Sequence, residues 1–268
     1  MRPFCENRRV ATETIGFDAR PSVGRSVAEA VVFSSLLAAA VGASLVAVTE
    51  RALYQRNSLV PTLIVVCGTL VIYNIDRLRD RHRDLHSAPR RTAFVDRHAA
   101  ILVALVIAAA AASVGLLIRH GVASALTFAP ILGLGLFHRR LKRWPSVKAI
   151  YVALAWTAAA LLAARLVPDA SADVDRLVPV AAILGFSVLA NTAVAGSEAA
   201  GGRRLAFFAA ATALALSFAT DRAPAALAIL PLGPLVALLV TDGGEWGRLT
   251  GFDGALGLSA LISLAFMT

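Results

Sequence analysis

YNIDRLRDRHRD, residues 73–84, closes an apolar run that begins at Leu59. Aspartates recur every fourth residue, at Asp76, Asp80 and Asp84, and arginines stand at Arg77, Arg79, Arg81 and Arg83. On an α-helix, positions i, i+4 and i+8 fall close to one line. The spacing therefore predicts a carboxylate stripe, flanked by guanidinium groups, where an apolar helix meets a polar surface. Aspartate is a poor helix former, and glutamate would serve a plain surface helix better. Short carboxylates in a line suit a hard cation, since Mg²⁺ takes one or two carboxylates and leaves other positions to phosphate oxygens. The plainer alternative is a solvated, salt-bridged helix end.

The rest of the chain decides where this stripe lies. Of its 268 residues, 58% are hydrophobic and 16% charged. A soluble domain is about half apolar and about a quarter charged. The excess is divided into about nine apolar blocks: 27–48, 59–75, 99–118, 121–137, 147–167, 177–197, 205–219, 224–240 and 253–267. Several fall short of the ~20 residues of a perpendicular span, which implies tilt, local thinning or helices that stop below the surface. They are rich in the small residues that let membrane helices approach closely. Without water to satisfy the backbone, such blocks are helices. The expectation is an all-α, polytopic membrane protein of about nine spans. A polar cytoplasmic leader, residues 1–26, precedes a single transmembrane domain, residues 27–268. The leader lacks the short apolar core of a secretory signal.

The net charge of +9 raises the question of nucleic acid. The arginines, however, sit in particular loops and not along one face with interleaved aromatics, which argues against that partner. With the N-terminus cytoplasmic, twenty of the 26 lysines and arginines fall on the inner side and six on the outer. The positive-inside rule thus predicts a multi-pass cell (inner) membrane protein with the stripe at the cytoplasmic surface. Cys5 and Cys67 lie in unlike settings and lack metal-ligand spacing, so neither a disulfide nor a cysteine metal site is expected.

Other residues join the stripe as candidates. Asn74 stands where the apolar block ends, either bonded between helices or facing the same site. Arg90 and Arg91 follow a turn proline, and Lys142 and Arg143 lie in the basic segment FHRRLKRWPSVK, residues 137–148. Guanidinium groups pair bidentately with phosphate, although basic residues at a membrane surface also serve as topological signals. Asn191 lies inside an apolar block, where a polar residue is a functional candidate by default. Glu198 lies seven residues on, sharing its face if the helix continues.

YNIDRLRDRHRD, the later Pro89-Arg90 and LGLFHRRLKRWPSVKAIYVALAW together resemble the UbiA-type intramembrane prenyltransferase superfamily, as does the nine-block layout. The resemblance implies a helical bundle around a central, lipid-open cavity. In it an isoprenyl diphosphate binds through Mg²⁺ to aspartate-rich motifs at the cytoplasmic end. Carried onto this chain, it implies metal ligation by Asn74, Asp76, Asp80, Asp84 and Glu198, and diphosphate contacts from Arg90, Arg91, Lys142 and Arg143. It also implies catalytic roles for Asp76, Asp80 and Asn191. The first family motif reads Asn-Asp, two residues, Asp, three residues, Asp. Asp76 and Asp80, or Asp80 and Asp84, fit its last two positions, and the leading pair is not reproduced. The second motif survives only as Gly201, Gly202, Arg203 and Arg204 in LANTAVAGSEAAGGRRLAF, without its aspartates.

The activity so implied is Mg²⁺-dependent transfer of an isoprenyl group from its diphosphate to a lipophilic acceptor, among membrane lipid. Two alternatives stand beside it. One is cyclisation of the isoprenyl diphosphate alone, as in membrane terpene cyclases of the same type. The other is a non-catalytic lipid-binding or assembly protein of that fold, motivated by the missing aspartates. A transporter is disfavoured, because no internal repeat is evident and the polar groups gather at one face.

Overall fold

The computed structural model describes residues 23–85, 88–121, 123, 125–131, 133, 145–167, 174–195, 200–241 and 247–267. Among these residues every regular element is helical. In chain order they are α1 (Val23–Phe33), α2 (Leu36–Tyr54), α3 (Leu59–Asp84), α4 (Pro89–Arg97), α5 (Ala99–Arg119), α6 (Pro145–Ala164), α7 (Val174–Ala195) and α8 (Ala200–Ala219). A 3₁₀ turn (Ala225–Ile229), α9 (Leu232–Val240), a π turn (Arg248–Phe252) and α10 (Asp253–Ala265) complete the chain. Among the described residues, five helical segments are long and apolar enough to cross a membrane: Leu36–Tyr54, Leu59–His82, Ala99–Arg119, Val147–Ala164 and Val174–Val194. Two shorter apolar stretches, Ala225–Val240 and Thr250–Ala265, accompany them.

Burial divides these helices by position. α2 packs against α1, α3, α6, α7 and α10 and forms the centre of the bundle. Leu45, Val46, Val48 and Ala52 on it are almost wholly enclosed. α5 lies at the edge, packed mainly on α3, and leaves Ile101, Ile107 and Ile118 more than half exposed. Phe207, Phe208 and Phe218 on α8 are likewise exposed. Apolar surface this extensive is not found on monomeric soluble proteins, and in a bilayer it meets acyl chains at no cost.

Close approach at the centre requires small side chains. A Cβ on Gly42 of α2 would lie 3.1 Å from Trp156 Cζ3, 3.2 Å from Val65 and 3.3 Å from Thr69. α9 and α10 approach still more tightly, so that a Cβ on Gly233 would run into the backbone carbonyl of Ala255.

The apolar block 27–48 reads as one helix but folds as two. The chain breaks at Ser34–Ser35, and Ser35 takes a left-handed conformation (φ 68°) that costs a non-glycine residue about 1–2 kcal/mol. α2 then continues beyond the block's expected end, to Tyr54. The break frees carbonyls at the end of α1, and α3 captures them. Arg77 donates to Val32 O at 2.9 Å and also to Phe33 O, while Asn74 Nδ2 donates to Ser34 O at 3.0 Å. Helix ends always leave such carbonyls without intrahelical donors. Here two side chains from a neighbouring helix satisfy them.

At the opposite end of α2, Glu50 is fully buried, and its Oε2 accepts the Ser58 N–H at 2.8 Å. This contact fastens the α2–α3 connection.

Candidate functional site

Eight residues separate Asp76 from Asp84, and a rise of 1.5 Å per residue puts them about 12 Å apart along the axis of α3. One ion cannot reach both, and the structure divides their roles. Asp84 accepts from Arg91 of α4 at 2.6 Å, and Arg81 pairs with Asp96 at 3.6 Å. These two ion pairs fasten α4 over the end of α3. Phe94 of α4 adds a ring contact with Phe33 at 5.7 Å between centroids. Asp84 and Arg91, expected as metal ligand and diphosphate contact, are thus engaged with each other. Arg90 is exposed on α4.

Asn74 is also engaged. It is fully buried; Nδ2 serves Ser34 O and, at 2.9 Å, Leu70 O, while Oδ1 accepts from Ser35 Oγ at 3.3 Å. Its amide holds the α1–α2 break in place. Asp76 and Asp80 stand one helical turn apart, the first half-buried and the second 3% exposed. Among the described residues no group of three or more Asp, Glu, His or Cys converges to hold a metal ion. Lys142, Arg143 and Glu198 lie outside the described residues.

The structure also gathers Tyr73, Trp156 and Asp253, which the sequence did not mark, near Asn191, which it did. Tyr73, one turn before Arg77 on α3, accepts from Trp156 Nε1 of α6 at 3.1 Å, and the two rings meet edge-on with centroids 6.1 Å apart. Asn191 of α7 donates through Nδ2 to Oδ1 of Asp253, the first residue of α10, at 2.9 Å. Tyr73 and Arg77 each lie within electrostatic reach of Asp253 and of Asp76. The C-terminal end of α7 packs against the N-terminal end of α10, and Tyr73 and Arg77 of α3 stand within electrostatic reach of Asp253 there. Asn191 and Asp253, 62 residues apart in sequence, are thereby brought together.

Tyr73 and Asp253 are both part-buried. Asn191 is 4% exposed, and its Oδ1 has no hydrogen-bond partner among the described residues. Leaving such an acceptor unpaired costs about 1–3 kcal/mol, so its presence calls for an explanation.

On the same end of the bundle, Arg203 of the Gly-Gly-Arg-Arg segment donates to Leu238 O at 2.6 Å and caps the end of α9. At this end of the bundle stand two carboxylates one turn apart, a third carboxylate held by an amide, one guanidinium and a tyrosine–tryptophan pair. Compared with protein-family models, with curated proteins and with solved structures, the chain matches none.

Proposed function

We propose that this protein transfers an isoprenyl group from its diphosphate to a lipophilic acceptor inside the membrane, at the polar cluster between α3, α7 and α10. The observation that carries this reading is the convergence of Asp76, Arg77, Asn191 and Asp253 at one end of an apolar bundle. Polar side chains at that depth are costly and mark binding sites in membrane proteins. The proposal includes a bundle of about nine spans around a cavity open to lipid, with the N-terminus and the cluster on the cytoplasmic side.

Asp76 and Asp80 fit Mg²⁺ by their chemistry. They are hard oxygen donors one turn apart, and Mg²⁺ takes one or two carboxylates while phosphate and water complete its shell. When bound, the ion would neutralise the diphosphate and the charge that grows on it as the carbon–oxygen bond breaks. The chain's own residues supply the remainder. Arg77, already anchored to the end of α1, contributes a fixed positive charge beside the leaving group without reorganising. The apolar walls receive the isoprenyl tail directly from the bilayer and keep water from the allylic cation. Tyr73 and Trp156 present ring surfaces that attract a cation.

The same ring pair also favours a second reading, cyclisation with no acceptor. Purified protein incubated with Mg²⁺ and isoprenyl diphosphates of several lengths, followed by mass spectrometry, tests both. A conjugate that forms only when an acceptor is present supports transfer. A hydrocarbon or terpenol formed without one supports cyclisation. Intact diphosphate under all conditions removes both and leaves a non-catalytic lipid-binding role.

A further inference from the structure

The apolar span on α3 ends at His82, and that on α5 begins at Ala99. With both helices crossing the membrane, chain connectivity holds α4, between them, at the level of the lipid head groups. α4 is also fixed in rotation. Thr92 and Val95 are buried, and Phe94 meets Phe33. The pairs Arg91–Asp84 and Arg81–Asp96 tie it to the end of α3 and engage the two carboxylates nearest to it in sequence. Arg90, Ala93 and Arg97 stay exposed. Arg90 and Arg97 are seven residues apart, so they share one helix face, about 10 Å from each other along the axis. Among the described residues neither guanidinium meets a carboxylate. α1, which packs against α4, exposes Val27 and Val31 one turn apart. This rim of the bundle thus carries cations at head-group depth and, on the neighbouring helix, an apolar surface that suits acyl chains.

Basic residues that act only as topological signals need charge near a span and no particular face. Here Arg81 and Arg91 fix the helix, and Arg90 and Arg97 share its outer side. We infer that the exposed face of α4 docks the head groups of anionic phospholipids, with Arg90 and Arg97 holding the phosphates. Guanidinium groups pair bidentately with phosphate oxygens. Because the ion pairs already hold α4 in place, docking orders little that was free. The inference stands apart from the transferase reading and needs only the membrane placement of α3 and α5. It takes Arg90 away from the diphosphate and gives it to lipid.

The test follows the melting temperature of the full chain in neutral detergent, titrated with phosphatidylglycerol or with phosphatidylcholine. A ligand of the folded state raises that temperature. Phosphatidylglycerol should raise it and phosphatidylcholine should not. Each arginine near an anionic surface contributes about fivefold in affinity. Arg90→Gln combined with Arg97→Gln should therefore raise the phosphatidylglycerol concentration for half the shift by roughly tenfold or more. Arg56→Gln with Arg119→Gln removes the same charge from exposed positions at the far ends of α3 and α5, and should leave the titration unchanged. Hydrogen exchange on the wild-type chain needs no variant. Amides 89–97 should exchange more slowly in nanodiscs containing phosphatidylglycerol than in pure phosphatidylcholine. Equal shifts from both lipids, equal loss in the two double variants, or unchanged exchange in α4 overturns the site. An unchanged lipid titration in the Arg90, Arg97 variant also overturns it, and weaker stabilisation of that variant by Mg²⁺ with inorganic pyrophosphate would return these arginines to the diphosphate.

Discussion

Two polar groups lie near the same end of the bundle and differ in one respect. In the knot of Ser34, Ser35, Asn74 and Arg77, side-chain donors meet the carbonyls freed by the helix break, and both ends of the Asn74 amide are bonded. In the pair of Asn191 and Asp253, the amide is bonded at one end and its oxygen is left without a donor. Sequence alone scores the two asparagines alike, as amides near the end of an apolar helix. The structure separates them by satisfaction. The Asn74 amide is spent on joining helices, whereas the Asn191 oxygen, like the Ser34 hydroxyl within the knot, is buried without a hydrogen-bond partner among the described residues.

The contrast predicts different consequences for substitutions in the two groups. Arg77→Met leaves two buried carbonyls without their charged donor, and hydrogen bonds to charged groups contribute roughly 1.5–3 kcal/mol each. A loss of about 3 kcal/mol in unfolding free energy in detergent is expected, together with a fall in activity, because Arg77 serves both groups. Asn74→Leu belongs to the knot alone. It should cost about 2 kcal/mol, and the protein that remains folded should keep its kcat. A normal melting temperature with lost turnover would place Asn74 among the ligands after all.

Tyr73→Phe removes the oxygen that accepts from Trp156. A single neutral hydrogen bond contributes about 1 kcal/mol, so the melting temperature should fall slightly while the product pattern changes through a looser Trp156. Asp84→Asn should have the least effect. Its pair with Arg91 is part-exposed, and such pairs contribute about 1 kcal/mol or less. Faster cleavage at α4 in limited proteolysis, with little change in turnover, would sharpen the view that Asp84 fastens α4 and does not hold metal.

Much of this was readable before folding. Apolar blocks and small residues announced a helical membrane bundle, and the four-residue spacing put Asp76, Asp80 and Asp84 on one helix. Asn191 was marked because an amide inside an apolar block is conspicuous. The break at Ser34–Ser35 was hidden, since two serines among alanines and leucines read as ordinary close packing, although serine pairs are known positions for kinks. Asp253 was missed for a different reason. It stands 62 residues beyond Asn191, and no local spacing links them. Its one signal was its place as a lone carboxylate at the threshold of the final apolar block. Asp84 shows how far such a pattern reaches: a regular stripe invites a common role, whereas helix rise alone spreads its ends about 12 Å, too far for one ion.

The most direct test compares Mg²⁺-dependent diphosphate release by the reconstituted wild-type chain and by the Asp76→Ala, Asp80→Ala double variant, with melting temperatures measured alongside. The account predicts steady release by the wild type and a drop of about a hundredfold or more in the variant, with folding preserved. Identical rates in the two proteins would contradict it.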